Sequence, residues 1–219
     1  SALEWFDKAL EQDPHYALAR AYRAFADVVI GNYGDAPTHV LLASRDTLKQ
    51  ALVQEPADSR IHWLLGLTYG CLVDFRNEIQ CYLQALELNP HDANVLASYG
   101  LALSAMGQHE EGIGYIREAM RLNPYHPEYY WVDLGCALFS AKRFEDAIEA
   151  FTHRSFPKPY VLGRLAACYA LLGKKDEAAK TVSDILKQQP DFRIGNYRMA
   201  AWDDETRRLL KSGMMSAGL

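Results

Sequence analysis

Proline returns along this chain at a fixed interval: Pro56, Pro90 and Pro124 stand 34 residues apart. Self-similarity with a period of roughly 20–50 residues marks a solenoid, in which each repeat is one supersecondary unit that buries its apolar face only against its neighbours. That constrains function as well as fold. Repeat residues are selected for packing, so any chemistry has to be argued from side chains outside the repeat pattern.

The register holds residue by residue. The unit that ends at Pro90 carries Leu65-Gly66, Tyr69, Tyr82 and Ala85, and Glu78 sits where a small residue is usual. The next has Tyr99-Gly100, Leu103, Gly112, Ala119 and Pro124; a third has Trp131, Leu134-Gly135, Leu138, Ala147, Phe151 and Pro159; a fourth has Leu165-Ala166, Tyr169, Ala178 and Pro190. This order resembles the tetratricopeptide (TPR) repeat. The resemblance implies an all-α fold, a right-handed TPR superhelix (alpha-alpha superhelix) of helix-turn-helix repeats with a C-terminal capping helix. The expected organisation is one solenoid domain: residues 1–14 as the second half of a truncated repeat, 15–56 as a long repeat with an insertion, 57–190 as units 59–90, 93–124, 128–158 and 159–190, and 191–219 as cap and tail.

Two helices approach closely only where one backbone presents almost no side chain to the other, and Gly or Ala supplies that contact. A larger residue at Gly66, Gly100, Gly135 or Ala147 is expected to overpack its pair by about 1–3 kcal/mol. Tyr82, Phe151 and Tyr169 fill the remaining gaps, and the prolines stop each second helix.

At the N-terminus, Ala2, Phe6, Ala9 and Pro14 match the second half of a unit, so the chain reads as a piece of a longer polypeptide. The stretch Gly31 to Pro37 reads as an inserted loop, followed by a helix from about Thr38 to Gln54 with Leu41, Leu48, Ala51 and Leu52 on one face. After Pro190, Asp203-Asp204-Glu205 opens a last helix bearing Leu209, Leu210 and Met214, with acidic residues where the helix dipole favours them. Gly213 and Gly218 suggest that order fades there.

A net charge of −5 with scattered Lys and Arg leaves no basic footprint for nucleic acid, and no run approaches the ~18 apolar residues of a membrane span. Cys71, Cys81, Cys136 and Cys168 form no Cys-x-x-Cys pair and read as the reduced thiols of a cytoplasmic protein. Cys136 and Cys168 hold comparable places in consecutive units. The seven histidines never pair at i, i+4, and no phosphate loop or nucleophile elbow occurs. The expectation is a non-catalytic chain without cofactor or metal.

What remains is the concave face, lined in this architecture by the first helix of every unit. Projected onto it are Arg60, Trp63, Leu67, Asn94, Ser98, Leu101, Tyr129, Asp133, Tyr160 and Arg164, with Phe25 and Phe139 beside them as packing. The Lys and Asn of a carboxylate clamp are missing, since those positions carry residues such as Trp63, Leu67, Ala97 and Leu101. The expected ligand is an apolar protein or peptide segment anchored by Trp63, Tyr129 and Tyr160 and oriented by Arg60, Asp133 and Arg164.

A narrower resemblance lies in the run Ala119 to Pro127, in Tyr129-Tyr130-Trp131 and Leu134 to Phe139, in Ser155-Phe156-Pro157-Lys158-Pro159, and in Leu209 to Met214. These are similar to bacterial TPR regions behind class III adenylate/guanylate cyclases and, more loosely, behind winged-helix transcriptional regulators. The resemblance implies a regulatory or docking region of a larger signalling protein, binding a partner or another domain of the same polypeptide. Alternatives are a homodimerisation module using the apolar edge from Leu3 to Gln12, a sensor domain of a transcriptional regulator, or a free-standing adaptor.

Overall fold

The computed structural model describes residues 2–153, 158–194 and 202–219. The Ser155-Phe156-Pro157 stretch that entered the narrower resemblance lies outside the described residues. Within them the chain is all-α: α1 Ala2–Gln12, α2 Ala17–Ile30, a 3₁₀ turn Tyr33–Asp35, α3 Thr38–Gln54, α4 Ser59–Cys71, α5 Phe75–Leu88, α6 Ala93–Ala105, α7 His109–Leu122, α8 Tyr129–Ser140, α9 Phe144–Thr152, α10 Pro159–Leu171, α11 Lys175–Gln188 and α12 Asp204–Ala217.

The periodic prolines do what their chemistry dictates. Pro14, Pro56, Pro90, Pro124 and Pro190 each lie two residues past the end of a helix, because the residue before a proline is driven out of the α region. Aspartates begin the next elements: the Asp58 carboxylate accepts from the Arg60 N–H at 2.9 Å, and that of Asp92 from the Asn94 N–H at 2.9 Å. Between the helices of each pair the chain turns through a left-handed residue, again two positions past the helix end. Gly107 (φ 91°) and Gly173 (φ 74°) adopt it without a Cβ penalty, whereas Val73 and Lys142 (both φ 61°) adopt it with one.

Contacts group the chain into two compact units, residues 1–96 and 97–219, with α6 beginning in the first and continuing in the second. In the first unit α2 pairs with α3 and α4 with α5. Phe25, Val28, Leu41, Leu48, Ile61 and Leu64 form the centre of its core. A Cβ added at Gly66 would lie 2.5 Å from Cε1 of Tyr82, which is why that glycine faces that ring. Glu78, the residue that departs from the repeat pattern, is buried beside Tyr82, whose hydroxyl donates to it at 3.3 Å. Room for the carboxyl comes from Gly70, where a Cβ would stand 2.6 Å from Glu78 Oε1. Burial pushes the Glu78 carboxyl up to about 8, against the smaller opposing effect of the Tyr82 hydrogen bond. The insertion folds back on the unit: Tyr33 meets Phe25 edge-on at 6.2 Å and Ala36 joins the core. Helix α1 buries no residue fully and rests on α2 through a Phe6–Tyr22 stack at 5.6 Å.

In the second unit α8 pairs with α9 and α10 with α11. The α6–α7 approach is backbone against backbone, since a Cβ at Gly100 would stand 2.5 Å from the Gly112 carbonyl oxygen. Phe151 fills the space opposite Gly135 in the same manner as Tyr82 opposite Gly66. Helix α12 packs chiefly on α10 and only lightly on α11. The expectation that order fades near Gly213 is corrected here: the helix runs on to Ala217, and Gly213 is buried inside it because it faces α10.

Candidate partner-binding faces

The residues projected from the repeat register fall into both units, and each group is described within its own. In the first unit they lie on α4 and the first turn of α6. Arg60 is exposed, and its guanidinium grips the capping Asp58 through two hydrogen bonds of 3.0 and 2.7 Å. Burial works to raise the Asp58 pKa, but bonds from the Arg60 side chain and N–H outweigh it and hold the carboxyl below its ordinary value. The charges of Arg60, Asp58 and Asp92 all reach the Tyr22 hydroxyl on α2, so these four groups share one neighbourhood. Trp63 and Leu67 are partly buried, with their inner sides packed on the core that holds Phe25 and Leu64. Asn94 is half-buried at the start of α6. The first unit therefore carries a partly buried tryptophan packed on its core, three residues after a cation whose geometry is fixed by its own helix cap.

The second unit places its residues differently. Tyr129 and Tyr160 are exposed, at 36% and 39%, more so than the partly buried Trp63, and Tyr129 meets Tyr130 edge-on at 4.9 Å. Ser98 is buried, and Leu101 packs against the unit's core. Asp133, on α8, is lifted to about 8 by burial, with the Arg164 charge pulling the other way. Arg164, on α10, is 7% exposed, and its guanidinium lies over the ring of Trp202, 5.2 Å from the centroid. Phe25 and Phe139 are buried in their units, at 7% and 0% exposure, where the sequence placed them as packing.

The feature that sequence reasoning missed is the position of the segment that carries Trp202. The Asp203 N–H donates to the carbonyl of Ala105 at the end of α6, at 2.9 Å. Its carboxylate caps α12 by accepting from the Glu205 and Thr206 N–H groups. Lys142, in the left-handed turn after α8, pairs with Glu205 at 2.5 Å. Thr206, Leu210, Gly213 and Met214 are buried, and a Cβ at Gly213 would lie 2.8 Å from that of Ala167 on α10. In the repeat register Ala167 of α10 stands where Leu67 stands in α4 and Leu101 in α6, that is, on the face assigned to a partner. The C-terminal segment thus lies along the first-helix side of the second unit. A signal for it was present in the sequence as Gly213 between Leu210 and Met214, set against Ala166-Ala167, but small residues alone do not say which helices meet.

Three of the four cysteine thiols are buried. Burial pushes the Cys81 thiol up to about 12 and that of Cys136 to about 11, and raises that of Cys168, on which Cys136 acts. These thiols stay protonated and pack. A shallow cleft lined by Arg117, Arg121, Arg143 and Trp131 has two of its cations matched, with Arg121 on Glu118 at 2.6 Å and Arg143 on Asp146 at 2.5 Å. Among the described residues no three His, Cys, Asp or Glu side chains gather as metal ligands would, and no helix is long and apolar enough to cross a membrane.

Comparison with known proteins bears on this geometry. Family models described as tetratricopeptide repeat match residues 59–92, 81–113, 100–154 and 132–191, together spanning 59–191. The chain is 35% identical, over 78 residues, to small glutamine-rich tetratricopeptide repeat-containing protein 2 of Mycosarcoma maydis, covering 36% of this chain and 22% of that one. It is 25% identical to human superkiller complex protein 3, covering 85% of this chain and 14% of that one. It spans under a quarter of the length of either relative. Among solved structures, a chain of the APC/C hetero-tetramer Cut9–Hcn1 superposes with a TM-score of 0.72 at 19% identity, over 97% of this chain and 39% of that one. The likeness to repeat regions behind cyclases or winged-helix regulators finds no support among these relatives.

Proposed function

This chain belongs to the tetratricopeptide repeat family, and from that premise we propose that it is a non-catalytic protein-interaction module that holds an apolar segment of a partner protein on the inner face of its first unit. Trp63 carries the reading. It packs on the core yet is not fully buried, the mixed character of an interface anchor. Arg60 stands three residues earlier, exposed and fixed by Asp58, where it would meet a carboxylate on the ligand. Two of the similar proteins are named as members of complexes, which accords with an adaptor role.

Selection of a random peptide library on the intact chain tests this. The expected outcome is enrichment of peptides with two or more apolar residues next to an acidic one. Binding should weaken at least tenfold in Trp63→Ala, equivalent to about 1.4 kcal/mol or more, in a variant that melts lower because the indole also packs on the core but that keeps its helicity. Enrichment that is indifferent to Trp63, or loss of helicity together with binding, would remove the first unit's face from the account.

Trp5, 71% exposed on α1, favours a second reading, in which copies of the chain associate through that helix. Trp5→Glu should then abolish a dimer seen by light scattering while leaving peptide binding intact.

A further inference from the structure

We propose that the inner face of the second unit is a receptor for an amphipathic helix of a partner protein, and that the chain's own residues 202–214 occupy it as a displaceable stand-in. Resting on the interaction reading above, this adds a second site, the chemistry of its ligand and a condition for access. The site is built from α6, α8 and α10: the Ala105 carbonyl accepts a backbone N–H, Lys142 takes a carboxylate, Arg164 lies under an aromatic ring, and Ala167 allows a close helix crossing. The resident segment answers each in turn with the Asp203 N–H, Glu205, Trp202 and Gly213. A partner helix would carry the same series: an aromatic residue, an aspartate N-cap, an acidic residue in the first turn, then apolar residues around one small residue at the crossing.

Two observations distinguish a lodged ligand from an integral repeat helix. Unlike α4 and α10, which pack more on the preceding second helix than on the preceding first, α12 packs mainly on the first helix α10 and only lightly on α11. Its fit is also imperfect at the polar end. Asp203 Oδ2 is buried without a hydrogen-bond partner among the described residues, and the Lys142–Glu205 pair is largely exposed, so salt and solvent weaken it. A tethered segment competes at an effective concentration on the order of millimolar, so even a weakly seated one keeps out partners present at lower levels.

Hydrogen exchange on the intact wild-type chain comes first. The amides of α12 should exchange about a hundredfold faster than those in the centres of α8 and α10, because a displaceable helix opens on its own. Equal rates would mean one cooperative unit and overturn the proposal. The second arm adds a fluorescent peptide of residues 202–219 to full-length wild type and to Gly213→Leu, whose side chain cannot fit against Ala167. Binding to the variant should be about a hundredfold tighter than to wild type. A folded variant that does not bind the peptide overturns the proposal, and so does formation of a dimer by Gly213→Leu alone, which would assign the seat to a second copy. If the substitution unfolds the unit, the exchange rates of wild type still decide. None of these outcomes bears on Trp63, so failure here is distinguishable from failure of the first site.

Discussion

Each unit holds on a repeat helix one carboxyl group withdrawn from water, Glu78 buried and Asp133 partly so, and the two are handled in different ways. Glu78 in the first unit has Tyr82 as its hydrogen-bond partner and a glycine opposite it, while Asp133 in the second shares its surroundings with Arg164. Both are lifted to about 8 by burial. The difference is what the charge accomplishes. Glu78 is a spacer that stays protonated at neutral pH and fills the gap between α4 and α5. Asp133 belongs to a polar ladder in which Arg164 also supports the ring of Trp202 and so helps seat the C-terminal segment. In the proposed reading the first unit keeps its inner face for an external ligand. The second spends the corresponding residues on a segment of its own.

Removing the cation is the most direct way to break this contrast. Arg164→Leu removes the charge that favours ionised Asp133 and the platform under Trp202; because Asp133, near 8 with the cation present, takes up a proton when the cation is lost, the pH-dependent part of the loss should be about 1 kcal/mol at pH 9. The loss should shrink on acidification, because a protonated Asp133 needs no partner; urea titrations at pH 5 and pH 9 check both points. A loss independent of pH would show that Arg164 acts through packing alone.

Glu78→Gln should have the opposite sign. A carboxyl whose folded pKa lies near 8, above its ordinary 4.5, imposes no cost below pH 4.5, an increasing one as pH rises, and a constant one above pH 8. The amide keeps the shape and cannot ionise, so the variant should match wild type at pH 4 and exceed it by about 5 kcal/mol at pH 9. Thermal melts across that range would show wild type falling where the variant stays level. Parallel melts would mean that Glu78 does not titrate in the folded chain.

The smallest effect concerns the turns. Val73 and Lys142 occupy the left-handed position that Gly107 and Gly173 fill in the other pairs. Val73→Gly should stabilise the first unit by about 1 kcal/mol, the strain of a β-branched residue at positive φ outweighing the greater freedom glycine has when unfolded. Lys142→Gly should gain less, because it also removes the ion pair with Glu205. Equal gains at both positions would show that this pair contributes nothing.

Much of the fold was legible because it repeats. Prolines two residues beyond α1, α3, α5, α7 and α11, and small residues opposite Tyr82 and Phe151, recur with enough regularity to place most helices from spacing alone, although Pro159, expected to close the third unit, instead opens α10. The inserted loop and the helix from Thr38 to Gln54 were readable for the same reason. Glu78 was visible as a departure, but only the packing shows that Gly70 makes room for it. Val73 carried no signal at all, since nothing in its side chain announces a left-handed turn. The site was legible in part. Register alone put Trp63, Tyr129 and Tyr160 on first helices, yet it could not tell Arg60, exposed and capped, from Arg164, buried under Trp202.

The sequence by itself determined the repeat, its register, the all-α class and the close helix approaches, because those depend on which residues are small, apolar or proline at fixed spacing. The tertiary structure alone decided where the last helix lies, since an amphipathic segment with a glycine at its centre fits any face with a matching small residue. That choice rests on contacts between residues far apart in the chain: Asp203 with Ala105, Glu205 with Lys142, Trp202 with Arg164 and Gly213 with Ala167. No periodicity records them, because each is made once.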